Sequence, residues 1–275
     1  MATWSLFDTH THFDVSDFDH DREALAYQAK QVGVDALVLI GFLQSRFSKL
    51  KQTQHFLNGL SDQIAPKSYL APGLHPFYIE QHLVEHLDDL EQILQTEKCV
   101  AVGEIGLDTF LKEHKNYTIL EKQKQFFSAQ IELAKQYDLP ILLHIRKSHA
   151  DVLAILKQHK FENGGIAHAF SGGVEEAKAF VKMGFKIGIT GQITNPNAKK
   201  LHTVVQQLGS KHLVLETDCP DMTPLCCQLS NQQHTRNTPV NLPFVLEGLA
   251  NSLMMEKVEL AHELWNNSID VLKIK

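Results

Sequence analysis

The chain has 275 residues, of which 43% are hydrophobic, 21% charged and 8% aromatic, a globular composition that excludes a disordered, collagenous or low-complexity protein. Its 26 basic and 32 acidic side chains leave a formal net charge of -6, which argues against a broad duplex-coating surface but allows a focused site where metal ions supply the positive charge. The longest apolar run, 36–43, falls far short of the ~18 residues of a membrane span, and no basic segment followed by an apolar stretch opens the sequence. A cytoplasmic protein with no membrane partner and no obligate protein partner is expected.

Taken in chain order, short β-branched or apolar runs predict strands at 6–9, 34–40, 68–74, 99–105, 140–145, 165–170, 185–190 and 213–217. The stretches between them have helical periodicity: Leu120, Phe127, Ile131 and Ala134 fall on one face, as do Val245, Leu246, Leu249 and Leu253. No Pro/Gly/Ser linker or charge block divides the chain, and no G-x-G-x-x-G follows the first strand. The expectation is an α/β fold, a single (β/α)8 TIM barrel over residues 1–275, rather than an open doubly wound sheet. Two long connections, roughly 106–118 and 219–239, leave the C-terminal ends of strands, where barrel enzymes keep their chemistry.

Metal-type side chains sit at those same ends. His10 and His12 close the first strand, and a period of two puts both imidazoles on one face of an extended segment. Asp8 shares that face and could join the set, but is expected rather to orient a ligand or pack structurally. Glu104 ends the fourth strand, His144 the fifth, His168 the sixth and Asp218 the eighth. Each ends a run too apolar to be solvated, and a lone charge buried there would cost several kcal/mol, so these groups need partners. A core histidine donating to a carbonyl explains one such residue; six on five strands point to a metal site. Six ligands exceed one tetrahedral site and suit two divalent ions sharing a carboxylate, ~3.5–4 Å apart. Glu104 is the expected bridge, with His10, His12 and Asp218 completing one site and His144 and His168 the other. Mixed imidazole and carboxylate ligands suit zinc, manganese, cobalt or iron, with magnesium also allowed.

Other residues carry weaker signals, each with a bland alternative. His75, after the third strand, could donate to a phosphate oxygen or leaving group, or simply brace Pro76. Arg146 could clamp a phosphate bidentately, or be an ordinary loop-end arginine. Ser171-Gly172-Gly173 opens a helix whose backbone N–H groups could hold a phosphate, or only makes the turn. Asp108 and Asp221 are expected to position substrate or support the ligands, and Arg236 to contact substrate. His82, His86 and His262 fall on predicted helices and are expected to be solvated. Cys99, Cys219, Cys226 and Cys227 form neither a C-x-x-C pair nor a disulfide framework. No aromatic-rich basic stripe marks a stacking platform.

The segments Asp8-Thr9-His10-Thr11-His12-Phe13-Asp14, Gly73-Leu74-His75-Pro76, Gly103-Glu104-Ile105-Gly106-Leu107-Asp108, Leu143-His144, His168-Ala169-Phe170-Ser171-Gly172 and Glu216-Thr217-Asp218-Cys219-Pro220-Asp221 resemble the TatD family. That family comprises metal-dependent deoxyribonucleases of the amidohydrolase superfamily, and the similarity is closest to its less characterised bacterial branch. H-x-H alone is widespread, but the G-E-I-G-L-D and E-T-D-x-P-D blocks together are specific. The resemblance runs from about residue 5 to about residue 272 and implies a barrel, divalent metals on the six positions and phosphodiester hydrolysis. The chain departs at Cys219, where the family often has Ala or Ser, and at Thr238, where many members have Glu.

The expected reaction is hydrolysis of DNA, from an end or on single strands, by a metal-bridging hydroxide with Asp218 as base. The alternative is a small-molecule amidohydrolase or lactonase on the same binuclear scaffold. Against it, Glu104 stands where many binuclear relatives use a carboxylated lysine, and Lys98 precedes the strand on its far face. A non-catalytic binding module is disfavoured by the complete ligand set.

Overall fold

Eight runs of β-branched and apolar residues become eight strands: β1 (Leu6–Thr11), β2 (Val34–Ile40), β3 (Lys67–Ala71), β4 (Val102–Asp108), β5 (Ile141–Arg146), β6 (Gly165–Ala167), β7 (Phe185–Ile189) and β8 (Leu213–Leu215). Helices intervene, α1 (Arg22–Gln31), α2 (Phe47–Gly59), α3 (His86–Thr96), α4 (Tyr117–Gln136), α5 (His149–Gln158), α6 (Val174–Lys182) and α7 (Lys199–Leu208), with α8 (Leu242–Leu253) and α9 (Lys257–Val271) after β8. The structure, a computed structural model, describes residues 3–229 and 235–274. Among them no helix is long and apolar enough to cross a membrane.

Every strand pair is parallel, in the orders β1-β2-β3 and β4-β5-β6-β7-β8. Backbone bonds stitch the two seams of this α/β barrel. Val100 and Gly103 donate to Leu70 and Pro72 at 2.9 and 3.0 Å on one side. Asp218 donates to His10, and His12 to Cys219, both at 2.9 Å, on the other.

Strands covered on both faces read as nearly continuous apolar runs, and every residue of β4 is buried. Phe7, Val38, Leu142, Ile166 and Val214 share one core cluster. Two residues further along their strands, Leu142 gives way to His144, Ile166 to His168 and Val214 to Glu216. The alternation that fills the barrel with hydrocarbon therefore delivers polar groups to its mouth. Outside, helices pack their periodic faces on the strands: Phe126, Phe127, Ile131 and Ala134 of α4 are buried, as are Val245, Leu246 and Leu249 of α8.

Strand ends differ from expectation where side chains capture the backbone. β3 stops early because the Gln130 amide accepts from the Leu74 N–H at 2.7 Å and donates to its carbonyl at 3.2 Å. β6 stops because the Ala169 N–H turns to Glu216 Oε1 at 2.6 Å. β4 starts later and runs to Asp108, so the first long connection contracts to 109–116, with a short turn at Glu113–Lys115. The second carries a turn at Leu225–Cys227, while its 230–234 stretch lies outside the described residues.

Gly106 pairs with His144 at a φ of +142°, where a Cβ would sit 2.1 Å from the His144 carbonyl oxygen. Gly106→Ala is expected to push β5 off β4 and cost about 1–3 kcal/mol. A denaturant midpoint equal to that of the parent would show that β5 can retreat freely.

Candidate metal centre

β1 carries His10 and, one residue past its end, positions His12; β4 carries Glu104, β5 His144, and the chain just beyond β6 and β8 supplies His168 and Asp218. All six come together at the mouth. His10 Nε2 lies 3.1 Å from Glu104 Oε2 and 3.8 Å from Asp218 Oδ1, and His12 Nε2 lies 3.7 Å from each of the same two oxygens. Donor atoms on one tetrahedral ion with ~2.1 Å bonds stand about 3.4 Å apart. Two imidazoles and two carboxylates at this spacing therefore fit a divalent ion. Among the described residues the buried Nδ1 atoms of His10 and His12 have no hydrogen-bond partner, and both rings make their polar contacts through the inward Nε2.

Three overlapping donor groups emerge: His10, His12 and Asp218; His10, Glu104 and His168; and His75, Glu104 and His144. Glu104 belongs to two of them, its Oε2 facing His10 and His12 and its Oε1 facing His75, His144 and, at 4.0 Å, His168. His168 stacks on His10, with ring centroids 3.5 Å apart, and its Nε2 is 3.6 Å from Asp218 Oδ1, so it sits closer to the first group than to His144. His144 Nδ1 approaches Glu104 Oε1 at 2.7 Å.

A second tier of carboxylates fixes these ligands. Asp108 Oδ2 accepts from His144 Nε2 at 3.0 Å, while its Oδ1 accepts the Phe110 N–H at 2.8 Å. Burial opposes charge on His144, but Asp108 and Glu104 outweigh it and raise the ring to about 9. Asp8 accepts from the Thr217 N–H and hydroxyl at 2.8 and 2.6 Å, holding the residue before Asp218. Burial pushes the Asp8 carboxyl up to about 8, and with both oxygens accepting from Thr217 it braces the strand end. Glu216, wholly buried, brings Oε1 to 2.9 Å from His168 Nδ1 as an ion-pair contact. Glu216 was absent from the sequence-derived site. Its signal was available, a carboxylate two residues before Asp218 within an apolar strand.

His75 and His82 are linked. The Phe77 N–H donates to His75 Nδ1 at 2.9 Å, and burial pushes His75 down to about 4, so the neutral ring carries its proton on Nε2. That nitrogen faces Glu104 Oε1 at 3.3 Å. His82 is buried rather than solvated, donating from Nε2 to the His75 carbonyl at 2.9 Å; it follows the turn Pro76–Gln81 instead of riding an exposed helix. His262 is exposed and His86 half-exposed.

The mouth opens into a cleft of about 700 Å³ whose lining includes His75, Arg146, Ser171, Asp218 and Asp221. A larger cavity of about 1150 Å³, lined by Trp4 and Trp265 near the strand beginnings, holds no ligand group among the described residues. Arg236 lies elsewhere: its guanidinium pairs with the Asp21 carboxylate and the Asp17 carbonyl and rests 4.9 Å from the Phe18 ring, strapping its loop to the segment after β1. The Gly173 N–H is taken by Glu176, which caps α6.

Comparison with known proteins places this geometry among relatives. The family described as TatD related DNase matches residues 7–273. The metal-dependent hydrolase YjjV of Escherichia coli is 36% identical over 98% of each chain. The crystal structure of YjjV, a TatD homolog, aligns with a TM-score of 0.86 at 35% identity, again over 98% of each chain. A 3'-5' ssDNA/RNA exonuclease TatD from a Pantoea strain is 29% identical over 89% of this chain and 90% of its own length.

Glu104→Ala is expected to strip divalent ions from the protein, because its two oxygens reach donor groups on either side. Glu216→Gln is expected to weaken their binding about 10- to 100-fold by loosening His168. Elemental analysis after dialysis against graded chelator reads both, and a Glu104→Ala protein that stays fully loaded would remove Glu104 from the ligand set.

Proposed function

The chain belongs to the family of TatD-related DNases and is a metal-dependent hydrolase; from that premise we propose that it hydrolyses phosphodiester bonds of DNA, acting on single strands or ends. The observation that carries this proposal is the set of four donor atoms of His10, His12, Glu104 and Asp218, with each imidazole nitrogen 3.1–3.8 Å from the two carboxylate oxygens, beneath an open cleft.

His10, His12 and Asp218 would hold one divalent ion and His144 a second, with Glu104 shared between them; His168, expected from sequence to join His144, lies against His10 and Asp218 and would serve the first ion or the space between the two. Such ions, when bound, bring the pKa of water toward neutrality and stabilise charge on phosphoryl oxygens. Asp218 is the proposed base. Burial works against its carboxylate, yet His168, His10 and His12 hold it below the usual range, so it is ionised and able to take the proton of the attacking water. His75 supplies the opposite function. With Nδ1 engaged by the Phe77 N–H, its Nε2–H, which faces Glu104 Oε1 at 3.3 Å, is the donor that would turn to a phosphoryl oxygen or leaving group once Glu104 is committed to the ions. Arg146 offers a planar pair of donors to a neighbouring phosphate, and Ser171 and Asp221 line the path of the strand.

The Pantoea relative's name supports a single-stranded nucleic acid as substrate. The net charge of -6 agrees, since gripping a few nucleotides needs far fewer phosphate contacts than a duplex footprint.

Metal-loaded protein is expected to shorten end-labelled single-stranded DNA, to stop when chelator is added, and to recover with divalent ions. Turnover of a lactone or amide panel without cleavage of DNA would overturn the assignment in favour of a small-molecule hydrolase. His75→Ala is expected to keep its metal while kcat drops about 100-fold. An unchanged kcat would reduce His75 to a brace for Pro76.

A further inference from the structure

Aromatic rings far apart in sequence line one wall of the cleft. Phe42 follows β2, while Phe77 and Tyr78 follow β3, and all three border the same opening as the ligands. They touch in series: His12 to Phe42 at 5.3 Å between centroids, Phe42 to Tyr78 at 5.5 Å, Tyr78 to Phe77 at 5.2 Å, and Phe77 to His114 at 5.5 Å. The series starts on a ligand and leads out to Phe77, whose ring is 40% exposed. Its ring neighbours, His75, Tyr78 and His114, meet it at 75°, 80° and 84°, edge to face. Among the described residues nothing stacks parallel to it.

A cation stands at the same opening. Arg146 is exposed at the end of β5, and its guanidinium carbon lies 3.8 Å from the centroid of the half-exposed Phe110 ring. Lys147 Nζ is 4.8 Å from that ring. The other three arginines are tied to oxygens: Arg22 to the Phe13 and Val15 carbonyls, Arg46 to Asp14 and Arg236 to Asp21. Among the described residues Arg146 donates to none. A guanidinium held over a ring face is oriented, and one without an acceptor keeps its donors for something that enters the cleft.

We infer that Phe77 and the Phe110-backed guanidinium of Arg146 form a subsite for an unpaired nucleotide beside the scissile bond, the base stacking on Phe77 and its phosphate held by Arg146. This rests on the proposed nuclease activity. An unpaired base exposes a π-face that an aromatic ring can cover, whereas a base within a duplex has its faces covered by its neighbours. The subsite thus selects single strands by shape with little regard to sequence. It also gives an acidic protein local positive charge where the phosphates pass.

The test uses metal-loaded protein and two labelled phosphorothioate strands that resist cleavage, one of thymidines and one abasic with the same backbone. Fluorescence anisotropy is expected to show tighter binding of the thymidine strand by about tenfold, a stacking-sized preference, and Phe77→Leu, which keeps apolar bulk, to bring the ratio near one. Arg146→Lys keeps the charge but loses the planar fork, and is expected to weaken both strands about fivefold. Equal affinity of the parent for the two strands, or an undiminished ratio in Phe77→Leu, overturns the subsite. Cleavage of ordinary single-stranded DNA is read in parallel. Base-dependent binding without cleavage supports the subsite and tells against the hydrolytic assignment, while cleavage without base preference does the reverse.

Discussion

The mouth of the barrel is organised around one buried carboxylate. Glu104 is almost wholly removed from water, and an isolated anion there would cost several kcal/mol. It is surrounded by five imidazoles, at 2.7 Å for His144, 3.1 Å for His10, 3.3 Å for His75, 3.7 Å for His12 and 4.0 Å for His168. Burial favours its neutral form, but the imidazoles reverse this and hold the carboxyl well below its usual range. Donors that can pass from binding protons to binding divalent ions fit a site whose anions need neutralising in either state. The backbone serves the same end: the Glu104 N–H donates across the barrel to the Gly41 carbonyl at 2.9 Å, and Gly73 packs so closely on Gly103 that a Cβ would fall 2.5 Å from the Gly103 carbonyl carbon.

Precision in this ring comes from carboxylates standing behind the ligands. Asp108 fixes the far nitrogen of His144, Glu216 flanks that of His168, and Asp8 holds Thr217 beside Asp218. Asp218 itself has a φ of +55°, a left-handed conformation that aspartate tolerates better than most residues. A conformation of this kind persists where its surroundings over-determine it, and the Asp218 N–H bond to the His10 carbonyl across the β8–β1 seam is part of that support. Barrel closure and ligand placement are thus one set of hydrogen bonds, and loosening the seam would move Asp218 relative to both histidines of β1.

Much of this was legible in the sequence because the strands are so uniformly apolar. Against such runs a His, Glu or Asp at a strand end stands out, and for His10 and His12 the period of two adds that both share one face. Legibility failed where a side chain's partner lies far along the chain. Glu216 looked like one more strand residue because its contact with His168 spans 48 positions. His82 looked like a solvated helical residue, yet a 3-10 turn and a covering Phe126 ring bury it beneath His75. The aromatic wall left no stripe in the sequence at all, since Phe42 follows one strand and Phe77 and Tyr78 the next, and the rings touch only once those strands pair.

Arg146 and Arg236 make the same point from the other direction. Arg146 ends β5 and Arg236 lies in the last long connection, and from sequence the first is a candidate phosphate clamp and the second a candidate substrate contact. Folding separates them by what lies nearby. Arg236 meets Asp21, 215 positions away, and the pair spends its charge on holding the last long connection against the segment after β1. Arg146 meets a phenylalanine, which orients a guanidinium without neutralising it. An exposed cation that the fold aims but leaves unpaired keeps nearly its full attraction for an incoming anion, whereas a cation already paired must first lose a partner. In a chain with net charge -6, that distinction decides which basic side chains can meet a phosphate.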